Sequence, residues 1–138
     1  MRGAVSGPGG EGLNASARDE AWVRFAATML LIGAAANALY GVVGLLGDDH
    51  LVPAELIFGA LEFWGGVNLV IGLIQFMVAL LILTGAPSRV FLGVLVTGIN
   101  LIAQMMIMGV YPLWSATVLV IDVLIIYALV VHGSSERT

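Results

Sequence analysis

The carboxyl group of Asp122 has the greatest capacity for chemistry in this sequence. It lies near the centre of an apolar stretch, residues 113–131. A charged side chain at the centre of a bilayer costs about 2.5–3.5 kcal/mol on insertion scales, and the chain has no Lys to pair with it. Arg24 and Arg89 open other apolar stretches, roughly 15 Å from the bilayer centre at 1.5 Å per residue. We therefore expect a neutral acid that is hydrogen-bonded to an amide side chain. The candidate amides are Asn37, Asn68 and Asn100.

Two roles are open for Asp122. An ionisable group inside a membrane often marks a proton or cation pathway. A protonated aspartate can equally be a structural group that hydrogen-bonds helices to one another. Glu62 is a second carboxylate, near the start of another apolar stretch and beside Trp64. It either lines a vestibule or extends its side chain to the membrane surface.

Amide side chains within the other apolar stretches repeat at helical spacing. Asn68 and Gln75, for example, lie seven positions apart, and a 3.5-residue repeat is typical of side chains that face a neighbouring helix. With Asp122 these amides define a polar seam, which we expect inside a helical bundle. The polar seam consists of Asn37, Asn68, Gln75, Asn100, Gln104 and Asp122. It forms either a polar cavity near mid-depth or a set of hydrogen bonds between helices.

Residues for several other kinds of chemistry are missing from the sequence. It has no Cys, and its two His, His50 and His132, fall at opposite sides of the predicted membrane. We therefore expect no metal site and no cofactor. Without a buried His or paired carboxylates for acid–base work, we expect no catalytic residues and no enzyme. The five basic residues are too few and too scattered for nucleic acid binding.

Four apolar stretches position these residues. The sequence is 60% hydrophobic and 10% charged, with a net charge of −4 and a mean hydropathy of +1.06, whereas soluble domains are about 25% charged. About 20 apolar residues cross a bilayer as a helix, because lipid cannot satisfy unpaired backbone groups. The sequence predicts an all-α bundle of four transmembrane helices, with antiparallel up-down neighbours. The predicted spans are residues 22–46, 58–83, 90–108 and 113–131.

Polar segments flank the predicted bundle, which covers residues 21–132. Residues 1–20 are rich in Gly, Ala and Ser, and we expect them to form a disordered cytoplasmic tail. Residues 133–138 form a second short tail. A likeness between residues 64–73 and 114–123 indicates that the bundle consists of two related helical hairpins, a 2+2 repeat.

The arginines fall on one side of this arrangement: Arg2, Arg18, Arg24, Arg89 and Arg137. The opposite side carries the acidic residues Asp48, Asp49 and Glu55. Because positively charged residues stay in the cytoplasm, both termini are predicted to be cytoplasmic, in a plasma membrane protein. The expected interfacial aromatic residues are Trp22 on the inner side, and Trp64, Tyr111 and Trp114 on the outer side.

Several segments match a known pattern. They are WVxFA at 22–26, WGxxNLxxGxxQ at 64–75, AxxRV at 86–90, YPLWS at 111–115 and DVLIIYAL at 122–129. In these segments the chain resembles a family of small four-helix membrane proteins, found mostly in actinobacteria and described only as a domain of unknown function. The resemblance implies the four-span fold and draws attention to Asp122, but it implies no activity. Relatives often have His where this chain has Asn68, which argues against a function that needs a titratable group there.

These patterns support three functional hypotheses. The first is a non-catalytic membrane protein, either an accessory subunit or a self-assembling bundle, that contains the polar seam centred on Asp122. The alternative is a proton- or cation-coupled carrier or channel for a small solute that uses Asp122. The third, which the residues favour least, is a membrane enzyme that binds lipid or quinone. Partners are expected to be the lipid bilayer and either further copies of the chain or another membrane protein. A contact between copies would use Gly41, Gly44 and Gly47.

Overall fold

The computed structural model describes residues 8–46, 61–109 and 112–134. They form four α-helices, and no strand is found in these ranges: α1 is Pro8–Leu46, α2 is Leu61–Leu83, α3 is Arg89–Ile107 and α4 is Pro112–His132. Each helix contains a segment that is long and apolar enough to cross a membrane, with hydropathies from 1.6 to 2.4. The predicted fold class, an all-α bundle of four membrane-spanning helices, is therefore confirmed.

The four helices pack as a ring in chain order. Each helix contacts the next one in the sequence, and α4 closes the ring against α1. Consequently α1 and α3 face each other across the centre of the bundle, as do α2 and α4. Large exposed apolar side chains cover the outside of the ring, as contact with lipid requires.

A tight turn joins α2 to α3. The backbone N–H of Ala86 donates to the carbonyl of Leu81 at 3.1 Å, and that of Gly85 donates to Ile82 at 3.2 Å. This pair of bonds is the Schellman motif, which satisfies carbonyl groups at the end of a helix. Gly85 has a φ of 75°, a conformation that costs glycine little. Pro87 then prevents continuation of the helix, so α2 and α3 are fixed as an antiparallel pair.

Close backbone contact between α1 and α2 depends on glycine. A Cβ atom added to Gly41 would lie 2.6 Å from the backbone nitrogen of Leu69, and one added to Gly72 would lie 2.8 Å from the carbonyl oxygen of Ala34. Gly44 is buried in the same contact, beside Gly65. The expectation that Gly41 and Gly44 join separate copies of the chain is therefore wrong. These glycines let two helices of one chain approach closely, whereas Gly47 lies outside the described residues.

The beginning of α1 differs from the sequence prediction. Residues 8–20 continue the helix, so the disordered tail predicted for residues 1–20 is wrong for this part, and residues 1–7 lie outside the described ranges. Pro8 suits the first turn of a helix because its missing N–H needs no partner there. Glu11 in the first turn complements the positive end of the helix dipole.

The apolar core fills the half of the bundle that contains the start of α3. In α1 it consists of Val23, Ala26, Ala27 and Leu30, of which the two alanines are fully buried. Val78, Ala79 and Ile82 of α2, Val96 of α3, and Ile125, Ala128 and Leu129 of α4 complete it. The other half of the bundle is less completely filled and contains the candidate site.

Candidate functional site

Four side chains, one from each helix, form a continuous hydrogen-bonded chain at the centre of the bundle. Asn37 of α1 donates through Nδ2 to Oε1 of Gln75 on α2, at 2.7 Å, and to Oδ1 of Asn100 on α3, at 3.1 Å. Asn100 donates through its own Nδ2 to Oδ2 of Asp122 on α4, at 2.8 Å. All four side chains are buried. We call these residues, Gln75, Asn37, Asn100 and Asp122, the amide–carboxyl chain.

The direction of donation gives the amide–carboxyl chain a defined end. Asn37 uses both hydrogens of its amide group, and Asn100 passes a hydrogen bond on to Asp122. A carboxyl group keeps an oxygen that accepts hydrogen bonds whether or not it is protonated, so it suits the final position. Asp122, only 3% exposed, is thereby held in one orientation at the middle of α4.

The other two members of the polar seam lie outside this chain. Asn68 is half-buried and donates to the carbonyl of Trp64 in its own helix, at 2.9 Å. Gln104 is buried one turn after Asn100, and its Oε1 has no hydrogen-bond partner among the described residues. The hydroxyl groups of Thr97 and Ser115 are also buried without a partner in this part of the chain. Sequence spacing already indicated that both hydroxyl groups face the interior, because Thr97 shares the helical repeat of Asn100 and Ser115 lies seven positions before Asp122.

A partly enclosed cavity of about 160 Å³ lies against the amide–carboxyl chain. Its polar side is formed by the four residues of that chain together with Asn68 and Gln104. Its walls are mainly apolar and include Trp64 and Trp114, two of the aromatic residues expected at the outer membrane interface. Three residues that line the cavity, Ile32, Tyr40 and Trp114, are 55%, 49% and 48% exposed, so the cavity is open to the outside of the bundle.

The remaining predicted residues are placed as follows. Trp22 lies at the opposite end of the bundle from the cavity, in contact with α4. The backbone of Glu62 belongs to α2, but its side chain lies outside the description, so the predicted vestibule stays untested. Tyr111 and His50 are also outside the described residues.

A second cluster, which the sequence reasoning missed, joins the first half of α1 to the end of α4. Nδ1 of His132 lies 2.7 Å from Oδ1 of Asp19. The His132 ring stacks on Trp22, with ring centroids 5.4 Å apart and an angle of 4°, and Tyr127 packs edge-on against both rings. We call Asp19, Trp22, Tyr127 and His132 the His132 cluster. Asp19 and Trp22 are three positions apart and so share one face of a helix. That spacing was the signal in the sequence that the two side chains belong to one cluster.

The described lining of the cavity carries one carboxyl group and several amide groups, which can hydrogen-bond to a bound molecule. Asp122 is the sole carboxyl group among the described residues that line it, and no His lines it there. Among the described residues, no cluster of three or more His, Cys, Asp or Glu side chains is placed to hold a metal ion.

Four apolar spanning helices around a buried polar centre define a multi-pass membrane protein. The chain belongs to the family described as a domain of unknown function, DUF7144, whose sequence profile matches residues 22–134. The match covers all four spanning segments and confirms the resemblance to a family of that kind. Comparisons of the chain with curated proteins and with solved structures gave no match.

Proposed function

We propose that this protein is a non-catalytic membrane component, an accessory subunit or a self-assembling bundle, in which the polar seam holds four spans in one arrangement. The observation that carries the proposal is the amide–carboxyl chain, to which every helix contributes one buried side chain. Inside a membrane the hydrophobic effect does not favour one packing of the helices over another. Hydrogen bonds between helices and close backbone contacts therefore fix the arrangement.

A second candidate is a proton- or cation-coupled carrier or channel. The observation in its favour is that Asp122 borders the cavity of about 160 Å³, so a buried ionisable group adjoins space that a solute can enter. A coupling site needs such a group. The structural proposal is preferred because the described part of the bundle has a packed apolar core beyond Asp122, towards the His132 cluster.

Flux measurements separate the two candidates. Purified protein in liposomes is expected to conduct protons and small cations no faster than protein-free liposomes, and Asp122→Asn is expected to behave alike. Asp19→Asn is the matched control, because it makes the same chemical change outside the cavity. A flux through the wild-type protein that Asp122→Asn abolishes, in a variant that folds normally, would establish the carrier and overturn the structural proposal.

The same preparation tests the proposed assembly. A homo-oligomer has a mass that is a multiple of 14.4 kDa in detergent, and an accessory subunit is recovered from membranes together with a partner protein. Native mass spectrometry of the gently solubilised protein measures both. A single 14.4 kDa chain without a partner would contradict both the self-assembling bundle and the accessory subunit.

The proposed orientation places both termini in the cytoplasm and the bundle in the plasma membrane. Support comes from Arg18, Arg24 and Arg89, which belong to the first half of α1 and the start of α3. Antiparallel packing brings these segments to one end of the bundle, and an excess of arginine marks the cytoplasmic side. The other end of the described bundle has no arginine near it in the sequence.

Labelling of single cysteines tests this orientation, and the absence of native Cys gives a clean background. In intact cells, a membrane-impermeant maleimide is expected to label Gly109→Cys, at the turn after α3, and not Ser16→Cys. After the cells are opened, both variants are expected to react, because both positions are exposed. The reverse pattern in intact cells means that the termini face outwards.

A further inference from the structure

The cavity beside Asp122 is elongated. Its lining on α1 extends from Met29 to Gly44, which is about 22 Å at 1.5 Å per residue, and its lining on α4 extends from Trp114 to Ile125, about 17 Å. Its volume of about 160 Å³ corresponds to roughly six to eight carbon atoms, because a cavity of about 150 Å³ in another protein binds benzene. A volume of this size, extended along two helices, fits a short hydrocarbon chain.

One oxygen of Asp122 is accessible from the cavity. Within the described residues, the hydrogen bond to Asp122 uses Oδ2, which accepts from Asn100, and Oδ1 has no partner there. The buried side-chain atoms of the described residues that lack both a partner and accessible surface are Thr97 Oγ1, Gln104 Oε1 and Ser115 Oγ. Oδ1 of Asp122 is not one of them, and Asp122 lines the cavity, so this oxygen can contact a bound molecule.

The charge of the lining favours a cation. No Lys or Arg is found among the described residues that line the cavity, and Asp122 is their sole carboxyl group. An ionised carboxylate in apolar surroundings is costly unless it is paired, and an ammonium group supplies both the opposite charge and a charge-assisted hydrogen bond. A phosphate or carboxylate group would enter beside Asp122 without a counter-ion, which argues against phospholipid head groups and fatty acids as occupants.

The position of Asp122 along the cavity sets the direction of the ligand. Ile125, the last lining residue of α4, lies one turn beyond Asp122, whereas Trp114, the first, lies about 12 Å before it along the axis. Val118 and Ile121 line the cavity between Trp114 and Asp122. The longer, apolar part of the α4 wall therefore lies on the side of Trp114, which is also a side on which the cavity is open.

We propose that this cavity binds a small linear alkylamine in its ammonium form. The ammonium group pairs with Asp122, and the alkyl chain lies along α4, past Val118 towards Trp114. Leu30 and Ile125 line the cavity and belong to the apolar core, so the other end is closed and binding requires no passage across the bundle. This binding goes beyond the proposed assembly role and does not depend on it.

Equilibrium dialysis with two probes tests the proposal. The probes are octylamine and octanol, which have the same chain and differ in the ammonium or hydroxyl group, at neutral pH in a non-ionic detergent. Protein-free micelles measure the partition of each probe into detergent. We expect saturable binding of one octylamine per chain, and octanol is expected to bind about tenfold more weakly or less, as the loss of a charged hydrogen bond predicts.

Two variants locate the binding. Asp122→Asn keeps an oxygen that can accept from Asn100 but removes the charge, so it is expected to weaken octylamine binding about tenfold and to change octanol binding less than about threefold. A purely structural role of Asp122 would affect both probes alike. Val118→Phe, which fills the cavity, is expected to weaken both probes, and Val120→Phe is its matched control, since Val120 is 62% exposed on the same helix.

Three results would overturn the proposal. They are octylamine binding that does not exceed partition into micelles, equal affinity of the wild-type protein for the two probes, and unchanged octylamine binding in a folded Asp122→Asn variant. If a variant does not fold, as judged by circular dichroism, the comparison of amine and alcohol on the wild-type protein decides. Each of these results leaves the proposed assembly role untouched, because its tests measure mass and flux.

Discussion

Replacement of Asn37 by leucine is expected to lower the free energy of unfolding by about 1–3 kcal/mol. Asn37 is the branch point of the amide–carboxyl chain and donates to both Gln75 and Asn100. Leucine has a similar volume but no donor, so two buried acceptors on two other helices lose their partner. Titration of the protein in mixed micelles with sodium dodecyl sulfate, followed by circular dichroism, measures the loss.

Asn68→Leu is the matched control for this prediction. It makes the same substitution in a spanning helix, but Asn68 is half-buried and, within the described residues, bonds only to the carbonyl of Trp64 in its own helix. Its effect is expected to stay within about 0.5 kcal/mol, as for substitutions that break no contact between elements. Equal losses for the two variants would show that Asn37 does not connect helices in the folded protein.

Gly72→Ala is expected to destabilise the bundle by about 1–3 kcal/mol. The new methyl group would lie 2.8 Å from the carbonyl oxygen of Ala34 and 2.8 Å from the backbone nitrogen of Ala38. Both obstacles are backbone atoms of α1, so no side chain can move aside and the helices themselves must separate. The same unfolding titration measures the effect, and Gly41→Ala is expected to resemble it.

Gly66→Ala provides the control on the same helix. A methyl group at Gly66 meets no atom within 4 Å, and alanine has the higher helix propensity. Its stability is expected to be unchanged or slightly higher. If Gly66→Ala and Gly72→Ala lower the free energy of unfolding equally, the two glycines affect stability through the flexibility of α2. Close contact of Gly72 with α1 would then not be the cause.

The number of helices and the polar seam followed from the sequence because both depend on local pattern. Long apolar stretches bound by charged or turn residues must be helices in lipid, and amides at helical spacing share one face. The sequence could not decide whether Asn68 or Gln75 meets Asn37. These two amides lie on one face of α2, about 10 Å apart along the axis. The choice depends on the vertical offset of two helices, which the glycine contacts set.

Residues 8–20 were unpredictable for a different reason. Their Gly, Ala and Ser content is typical of a disordered tail, and the helix there gains support from a partner distant in sequence. Asp19 contacts His132, 113 positions later in the chain, and Trp22 stacks on the same ring. Sequence periodicity within a single segment carries no information about such a contact.

The order of the helices in the ring affects when the hydrogen bonds of the amide–carboxyl chain can form during membrane insertion. Gln75 and Asn37 belong to the α1–α2 hairpin, Asn100 and Asp122 belong to the α3–α4 hairpin, and the 3.1 Å bond between Asn37 and Asn100 joins them across the centre. Each hairpin therefore contains a complete donor–acceptor pair of its own. If the two hairpins insert one after the other, each of these pairs can form within its own hairpin, and the Asn37–Asn100 bond is added when the hairpins pack together.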